Sequence, residues 1–205
     1  MDRYCVVKTS IANLYKNPSF KSELVTQALN LEKLLIIEQD ANWYKIRQWD
    51  NYESWIHSFY VSLDIESNSD DNNNEIIKFS DQNLISKAKE FLDTPYLWGG
   101  KSKLGFDCSG FIQTVFKSFG INFPRDSYEQ MDFKDLIEIE YSEIEIGDLL
   151  FFADNKNVNH VAICIGNEEI IHSSGCVKIE KLEDNKELYK KLYKVMSIKK
   201  IFKNE

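Results

Sequence analysis

The chain has 205 residues, enough for one or two domains, and 43% of them are hydrophobic and 13% aromatic, which supports a packed core. Its 25 basic residues are scattered and are outnumbered by 33 acidic ones, giving a formal net charge of −8. This disfavours nucleic-acid binding, which requires a concentrated basic face. The sequence shows no apolar run of signal-peptide or membrane-spanning length, so we expect a cytoplasmic protein with no membrane partner.

The distribution of glycine divides the chain into two halves. All eight glycines lie between Gly99 and Gly175. Residues 65–75 are polar and acidic, without the periodicity of a core-forming segment. We therefore predict a first domain over residues 1–65, a linker over 66–76 and a second domain over 77–205.

The first half has the pattern of a small all-β domain. Short β-branched, aromatic or alternating runs are separated by turn residues. Four of these runs are predicted strands, at residues 4–8, 34–38, 43–47 and 54–57. About 65 residues of short strands indicate a small barrel.

The second half begins with helical patterns and ends with strands. Ser80 is a plausible N-cap for a first helix, and a second helix is predicted from about Cys108 to Gly120. Strand-like runs follow at residues 149–152, 160–165 and 169–172. Helices followed by consecutive strands predict an α+β domain with an antiparallel sheet.

Cys108 is the candidate nucleophile among the four cysteines. No two cysteines form a Cys-x-x-Cys pair, so we predict no metal site and no cofactor. Cys5 and Cys164 fit buried apolar positions, and Cys176 is a loop candidate. Cys108 differs because a helix start favours an anion, which should lower the pKa of its thiol.

Two of the three histidines, His160 and His172, can supply the base that a nucleophilic cysteine needs. Each lies at the end of a strand-like run, and each taken alone would fit packing or surface exposure. If the two strands are antiparallel neighbours, both rings can meet above the helix start. His160 would then be the general base, and His172 would orient it.

Six blocks of the second half, in order, resemble the motifs of the NlpC/P60 cysteine peptidases. These blocks are PYLWGG at 95–100, DCSGF at 107–111, PRDS at 124–127, GDLLFF at 147–152, HVAI at 160–163 and IH at 171–172. The resemblance implies a papain-like α+β fold with Cys108 as nucleophile, His160 as base and His172 as third polar residue. It also implies hydrolysis of bacterial cell-wall peptides between γ-D-glutamate and a diamino acid.

The first half resembles a bacterial SH3 domain of the kind fused to these peptidases. The matching segments are NLY at 13–15, TQA at 26–28, WYKIR at 43–47 and DNYESW at 50–55. In fused members the SH3 domain forms one wall of the substrate pocket and restricts it to short peptides with a free N-terminus. This implies that Tyr52, with Asp50 or Glu53, forms that wall, although an exposed barrel loop is an equal alternative.

The resemblance also suggests roles around the nucleophile. The backbone N–H of Cys108 and the hydroxyl of Tyr96 are candidate oxyanion donors, with packing against Trp98 as the alternative role of Tyr96. Further predicted substrate contacts are the amine partner Asp107, the carboxylate partners Arg125 and Ser127, and the flanking residues Ser109 and Trp98. Asp126 and Ser127 could instead cap a helix.

The predicted substrate is therefore a murein tripeptide or tetrapeptide with a free N-terminal L-Ala, cleaved by a monomeric enzyme of peptidoglycan recycling. One alternative is an amidase or lipid acyltransferase with the same Cys–His pair. Another is a cell-wall-binding module without activity. The presence of Cys108, His160 and His172 together favours an enzyme.

Overall fold

The structure is a computed structural model that describes residues 3–63 and 76–199. Residues 3–63 form a seven-stranded sheet with the order β3-β2-β6-β5-β4-β1-β7. Its strands are β1 (Arg3–Val7), β2 (Ile11–Tyr15), β3 (Leu24–Leu29), β4 (Lys33–Asp40), β5 (Trp43–Arg47), β6 (Glu53–His57) and β7 (Val61–Ser62). The predicted all-β unit is confirmed, and its core is built from alternating positions such as Cys5, Val7 and Leu34, all fully buried.

The C-terminal half is an α+β domain, as predicted. Its helices are α1 (Asp81–Lys89), α2 (Cys108–Lys117), α3 (Ser127–Met131) and α4 (Lys186–Tyr189). Its strands are β8 (Lys101–Ser102), β9 (Gly105–Phe106), β10 (Ile137–Ile139), β11 (Leu149–Asp154), β12 (Asn157–Gly166), β13 (Glu169–Ser174), β14 (Cys176–Lys181) and β15 (Leu192–Ser197). Six of them form an antiparallel sheet with the order β10-β15-β11-β12-β13-β14.

Helix α2 packs against this sheet and sets the position of the site. Phe111, Ile112 and Val115 on its inner face are fully buried in one cluster with Val161 and Ile163 of β12. Each such side chain stabilises the fold by roughly 1.5–3 kcal/mol through removal of apolar surface from water. The start of α2 is thereby held against β12.

The two domains are joined by specific hydrogen bonds. Gln27 of β3 accepts hydrogen bonds from the N–H of Lys101 at 3.1 Å and from the hydroxyl of Ser102 at 2.9 Å. Gly99 lies so close to β3 that a Cβ built there would be 2.8 Å from the carbonyl oxygen of Leu24, and its φ is +75°. Glycine is therefore required at the point of contact.

Most of the predicted linker, residues 66–75, lies outside the described residues, and the domain boundaries remain a prediction. The first helix is capped as predicted, because Ser80 Oγ accepts a hydrogen bond from the N–H of Asn83 at 3.1 Å. Within residues 3–63 and 76–199, no helix has the length and apolarity needed to cross a membrane.

Candidate active site

Cys108 is the first residue of α2, where backbone N–H groups have no partner within the helix. Asp107 is the N-cap of this helix. The Cys108 thiol donates to the carbonyl of Asn159, with Sγ 3.9 Å from the oxygen, and the N–H of Val161 is directed at the sulfur. The sulfur therefore lies against the backbone on both sides of His160.

The structure corrects the prediction of a lowered thiol pKa. Cys108 is 8% exposed, and burial, followed by the negative charge of Asp107, raises the pKa of its thiol to about 12. The helix start and nearby N–H groups oppose this rise, but the loss of water around the sulfur outweighs them. In the free protein the thiol is neutral, so a base must ionise it during reaction.

His160 and His172 meet on neighbouring antiparallel strands, β12 and β13, as predicted. Nε2 of His160 lies 2.7 Å from Nδ1 of His172, and the rings are inclined at 73°. Burial lowers the pKa of both imidazoles, to about 3 for His160 and about 4 for His172. Both rings are therefore neutral near pH 7, and Nδ1 is the nitrogen of His160 that does not contact His172.

Glu180 extends this pair, and the sequence reasoning missed it. Its Oε1 lies 3.2 Å from Nε2 of the buried His172. The strand that carries it, β14, was not predicted. Alternation along residues 176–181 was the available signal, because it places Lys178 and Glu180 on one face of a strand.

Cys108 opens into a cavity of about 420 Å³, within the range of ~300–1,000 Å³ typical of small-ligand sites. Both domains line it. The N-terminal domain contributes Lys16, Glu23, Val25, Tyr52 and Glu53. A cavity of similar size lies along β10 and β15, but neither Cys nor His lines it. Across the part of the chain that the structure describes, no cluster of three or more His, Cys, Asp or Glu residues could hold a metal ion.

Arg125 is 1% exposed and does not line this cavity, so its predicted contact with substrate stays a prediction. Its Nη1 and Nη2 donate to the two carboxylate oxygens of Asp107, at 3.0 and 2.5 Å. Nε donates to Thr26 of β3 at 3.0 Å, and Nη1 also donates to Ser109 Oγ at 3.0 Å. Arg125 therefore connects the start of α2 to the N-terminal domain.

Asp107 lines the cavity, but its oxygens are already engaged. Besides Arg125, Oδ1 accepts from the N–H of Gly110 at 2.7 Å and Oδ2 from the N–H of Gly99 at 2.8 Å. The amine-binding role predicted for Asp107 is therefore not supported, because these four donors and the Ser109 hydroxyl, at 3.4 Å from Oδ1, occupy its lone pairs. Asp107 instead holds the loop, the helix start and Arg125 together.

Four further predicted residues do line the cavity: Ser109, Ser127, Tyr96 and Trp98. Burial is the main cause that raises the pKa of Tyr96 to about 12, so its hydroxyl stays a donor. The Trp98 side chain donates from Nε1 to Glu23 of the N-terminal domain at 3.1 Å.

Asp126 also lines the cavity. It occupies the N-cap position of α3, but its side chain makes no capping hydrogen bond, contrary to the alternative considered from the sequence. Tyr128 donates to it, and burial raises the pKa of its carboxyl group. Asp126 is thus a partly buried carboxylate whose oxygens are less fully engaged than those of Asp107.

Tyr52 and Asp50, both predicted to form the wall, have different positions. Tyr52 lines the cavity. Asp50 does not line it, since its Oδ2 accepts from Gln113 of α2 at 2.7 Å and its Oδ1 from the N–H of Tyr52 at 3.0 Å. The Asp50 carboxylate thus joins the two domains, and its predicted contact with substrate stays a prediction.

The family comparison agrees with this arrangement. The model described as the NlpC/P60 family matches residues 93–197, more than half of the chain. The chain belongs to the NlpC/P60 family. The matched residues carry a cysteine-peptidase domain and include Cys108, His160 and His172. The model described as a bacterial SH3 domain matches residues 10–62.

Relatives of the NlpC/P60 chain include two proteins named gamma-D-glutamyl-L-lysine dipeptidyl-peptidase. The one from Bacillus cereus is 34% identical over 177 residues, covering 83% of this chain and 49% of the relative. The one from Bacillus subtilis is 37% identical over 114 residues, covering 54% and 38%. The chain thus matches half or less of the length of these curated relatives.

A crystal structure of an NlpC/P60 family protein from Bacillus cereus is similar over both domains. It aligns with a TM-score of 0.56 and 30% identity, covering 95% of this chain and 62% of that one. The resemblance therefore extends to the fold of the whole described chain.

Proposed function

We propose that this protein is a cysteine endopeptidase that hydrolyses the γ-D-glutamyl–diamino acid bond of short murein peptides with a free N-terminal L-Ala. The observation that carries this proposal is the cavity in which Cys108 faces a wall formed by the N-terminal domain. The names of the two Bacillus relatives describe the same bond and the release of a dipeptide.

Catalysis would begin with the neutral Cys108 thiol. His160 takes the thiol proton at Nδ1 as the sulfur attacks the γ-carbonyl carbon of D-glutamate. The backbone N–H of Cys108 and the Tyr96 hydroxyl donate to the oxyanion. The protonated His160 then gives its proton to the departing amine of the diamino acid, and water, deprotonated by His160, hydrolyses the resulting thioester.

Two hydroxyl groups are suited to the α-carboxylate of D-glutamate. Ser109 and Ser127 lie at the starts of α2 and α3, where helix N-termini favour negative charge. Ser109 Oγ accepts a hydrogen bond from Arg125 and donates a long one, at 3.4 Å, to Oδ1 of Asp107, a contact that a carboxylate ligand would replace. The buried Arg125 thereby polarises the hydroxyl without touching the substrate.

Asp126 is the best-placed partner for the free amine. It lies in the cavity wall with Tyr52, and its carboxylate is not used for helix capping. An ammonium group beside a partly buried carboxylate forms a charge-assisted hydrogen bond, which favours a free N-terminus over a blocked one. Glu23 and Glu53 line the same wall but are already paired with cations, Glu23 with Lys16 and Glu53 with Lys45 and Arg47.

The lining of the cavity by both domains also bears on the biological role. A cavity bounded by a second domain suits a short released peptide better than a strand of intact wall, so we propose a role in peptidoglycan recycling. The cytoplasmic location expected from the sequence is part of the same proposal.

The test compares the free peptide L-Ala-γ-D-Glu-L-Lys with its N-acetylated form, and repeats the comparison with diaminopimelate in place of lysine. We expect cleavage of the free peptides at least about 100-fold faster, because the blocked amine loses a charged hydrogen bond of roughly 2–3 kcal/mol. Equal rates on both forms would refute the requirement for a free amine. Cleavage of only other amides or esters would favour a different activity.

A further inference from the structure

His172 has two ring nitrogens in different surroundings. Nδ1 lies 2.7 Å from Nε2 of His160. Nε2 is buried and has no hydrogen-bond partner of good geometry within the described part of the chain. Oε1 of Glu180 lies 3.2 Å from it, within hydrogen-bonding distance but without the alignment of a hydrogen bond.

The Glu180 carboxylate is itself held in place. Oε1 accepts a hydrogen bond from Nδ2 of Asn185 at 2.8 Å, and Oε2 pairs with Nζ of Lys178 at 2.9 Å. Asn185 is in turn fixed as the N-cap of α4, where its Oδ1 accepts from the N–H of Leu188 at 3.1 Å. A carboxylate bound on both sides lies beside an unpartnered imidazole nitrogen.

We propose that Glu180 is a positioning residue that fixes the tautomers of His172 and His160. A carboxylate beside Nε2 of His172 keeps the proton on Nε2 and leaves Nδ1 as an acceptor. His160 must then donate from its own Nε2, which leaves its Nδ1 unprotonated. This is the nitrogen that takes the Cys108 proton in the proposed reaction.

The opposite tautomer would be inactive. If His172 carried its proton on Nδ1, it would donate to Nε2 of His160, and His160 would carry its proton on Nδ1. His160 could not then act as a base toward the thiol. Two hydrogen-bonded imidazoles by themselves have no preference between these arrangements. An acceptor beside Nε2 of His172 favours the one in which both rings carry the proton on Nε2.

The charges around the two rings agree with an ionised Glu180. Burial raises the pKa of its carboxyl group, but hydrogen bonds from Asn185 and Lys178 outweigh this and leave the pKa below its usual value. The charged groups that act on His172 are Glu180 and Lys178, and both also act on His160. The other face of His160 contacts the apolar ring of Phe152.

The direct test is nuclear magnetic resonance of protein labelled with ¹⁵N at both histidine ring nitrogens. In the unmodified protein near pH 7 we expect His172 and His160 both to carry their protons on Nε2. A proton on Nδ1 of either ring would overturn the proposal. This measurement needs neither a substrate nor a variant.

Variants then test the cause. Glu180→Met removes the acceptor, and we expect a mixture of tautomers and about a 10- to 100-fold lower kcat with little change in KM, as for lost outer-shell partners elsewhere. Glu180→Gln keeps an acceptor oxygen and should retain the Nε2–H tautomer and most of the activity. Glu187→Met, on exposed α4, is the matched control and should change neither. An unchanged tautomer and kcat in Glu180→Met would contradict the proposal.

The effect on turnover rests on the proposed function, but the tautomer does not. If the unmodified protein cleaves no murein peptide yet carries the Nε2–H tautomers and loses them in Glu180→Met, the peptidase assignment fails and the role of Glu180 stands. If the unmodified protein cleaves the peptide but the tautomers are unchanged in Glu180→Met, the role of Glu180 fails and the peptidase assignment stands.

Discussion

Nε2 of His160 lies 2.7 Å from Nδ1 of His172, and in the proposed reaction this contact leaves the other nitrogen of His160 for Cys108. The second nitrogen of His160, Nδ1, remains for the thiol proton. In the serine-protease triad it is Nε2 that meets the nucleophile. In the proposed reaction, the pairing of β12 with β13 therefore selects Nδ1 of His160 as the base.

The pH dependence of kcat/KM follows from the buried imidazoles. Burial lowers the pKa of His160 to about 3, so its neutral, basic form persists as the pH falls below the usual imidazole value of about 6.5. We expect kcat/KM for the free peptide to be retained down to about pH 5. A steady-state profile from pH 4 to 8 checks this, and an acid limb with its midpoint near 6.5 would contradict it.

Arg125 is expected to contribute mainly to stability. Arg125→Met removes one partner of a buried ion pair and should lower the free energy of unfolding by roughly 3–5 kcal/mol. Arg3→Met is the control at an exposed arginine and should change it by less than about 0.5 kcal/mol. Urea unfolding measures both, and similar small losses in the two variants would show that the Asp107–Arg125 pair does not stabilise the fold.

Asp50 is expected to affect stability and not substrate affinity. Asp50→Ala breaks the 2.7 Å hydrogen bond to Gln113 and should cost about 1.5–3 kcal/mol of unfolding free energy, since the acceptor is charged. KM should stay within about twofold of its original value, a free-energy difference of about 0.4 kcal/mol, because Asp50 does not line the cavity. The exposed Asp184→Ala is the matched control. A raised KM with unchanged stability would restore Asp50 to the pocket wall.

Asp126 is expected to recognise the amine. Asp126→Asn should raise KM for the free peptide about 10- to 100-fold through loss of a charge-assisted contact, and leave the N-acetylated peptide nearly unaffected. The preference for the free amine should therefore collapse. Asp132→Asn, at an exposed position after α3, is the control for charge alone. An equal effect on both peptides would place the amine elsewhere.

The general fold and the places of Cys108, His160 and His172 in it were predictable because their signals are local. A helical stripe begins directly after Cys108, and the strands carrying His160 and His172 are apolar runs that an antiparallel sheet makes neighbours. The strands β2 and β3 were missed because Ala12, Asn13 and Ala28 have weak strand propensity.

The pocket contacts were less predictable because they depend on partners distant in sequence. Asp107 and Arg125 both carry charges suited to a ligand, and nothing local indicates that they bind each other in the core. The pairing leaves Asp126 to face the cavity instead. The thiol pKa was misjudged for a similar reason, since burial of Cys108 arises from β12 packing over the helix start.

The most direct test of the central claim identifies the products formed from L-Ala-γ-D-Glu-L-Lys by the unmodified protein and by Cys108→Ala. Mass spectrometry should detect L-Ala-D-Glu and lysine with the unmodified protein and intact peptide with the variant, whose folding is checked by circular dichroism. Products from a folded Cys108→Ala variant would place the nucleophile elsewhere, and an intact peptide with the unmodified protein would contradict the proposed activity.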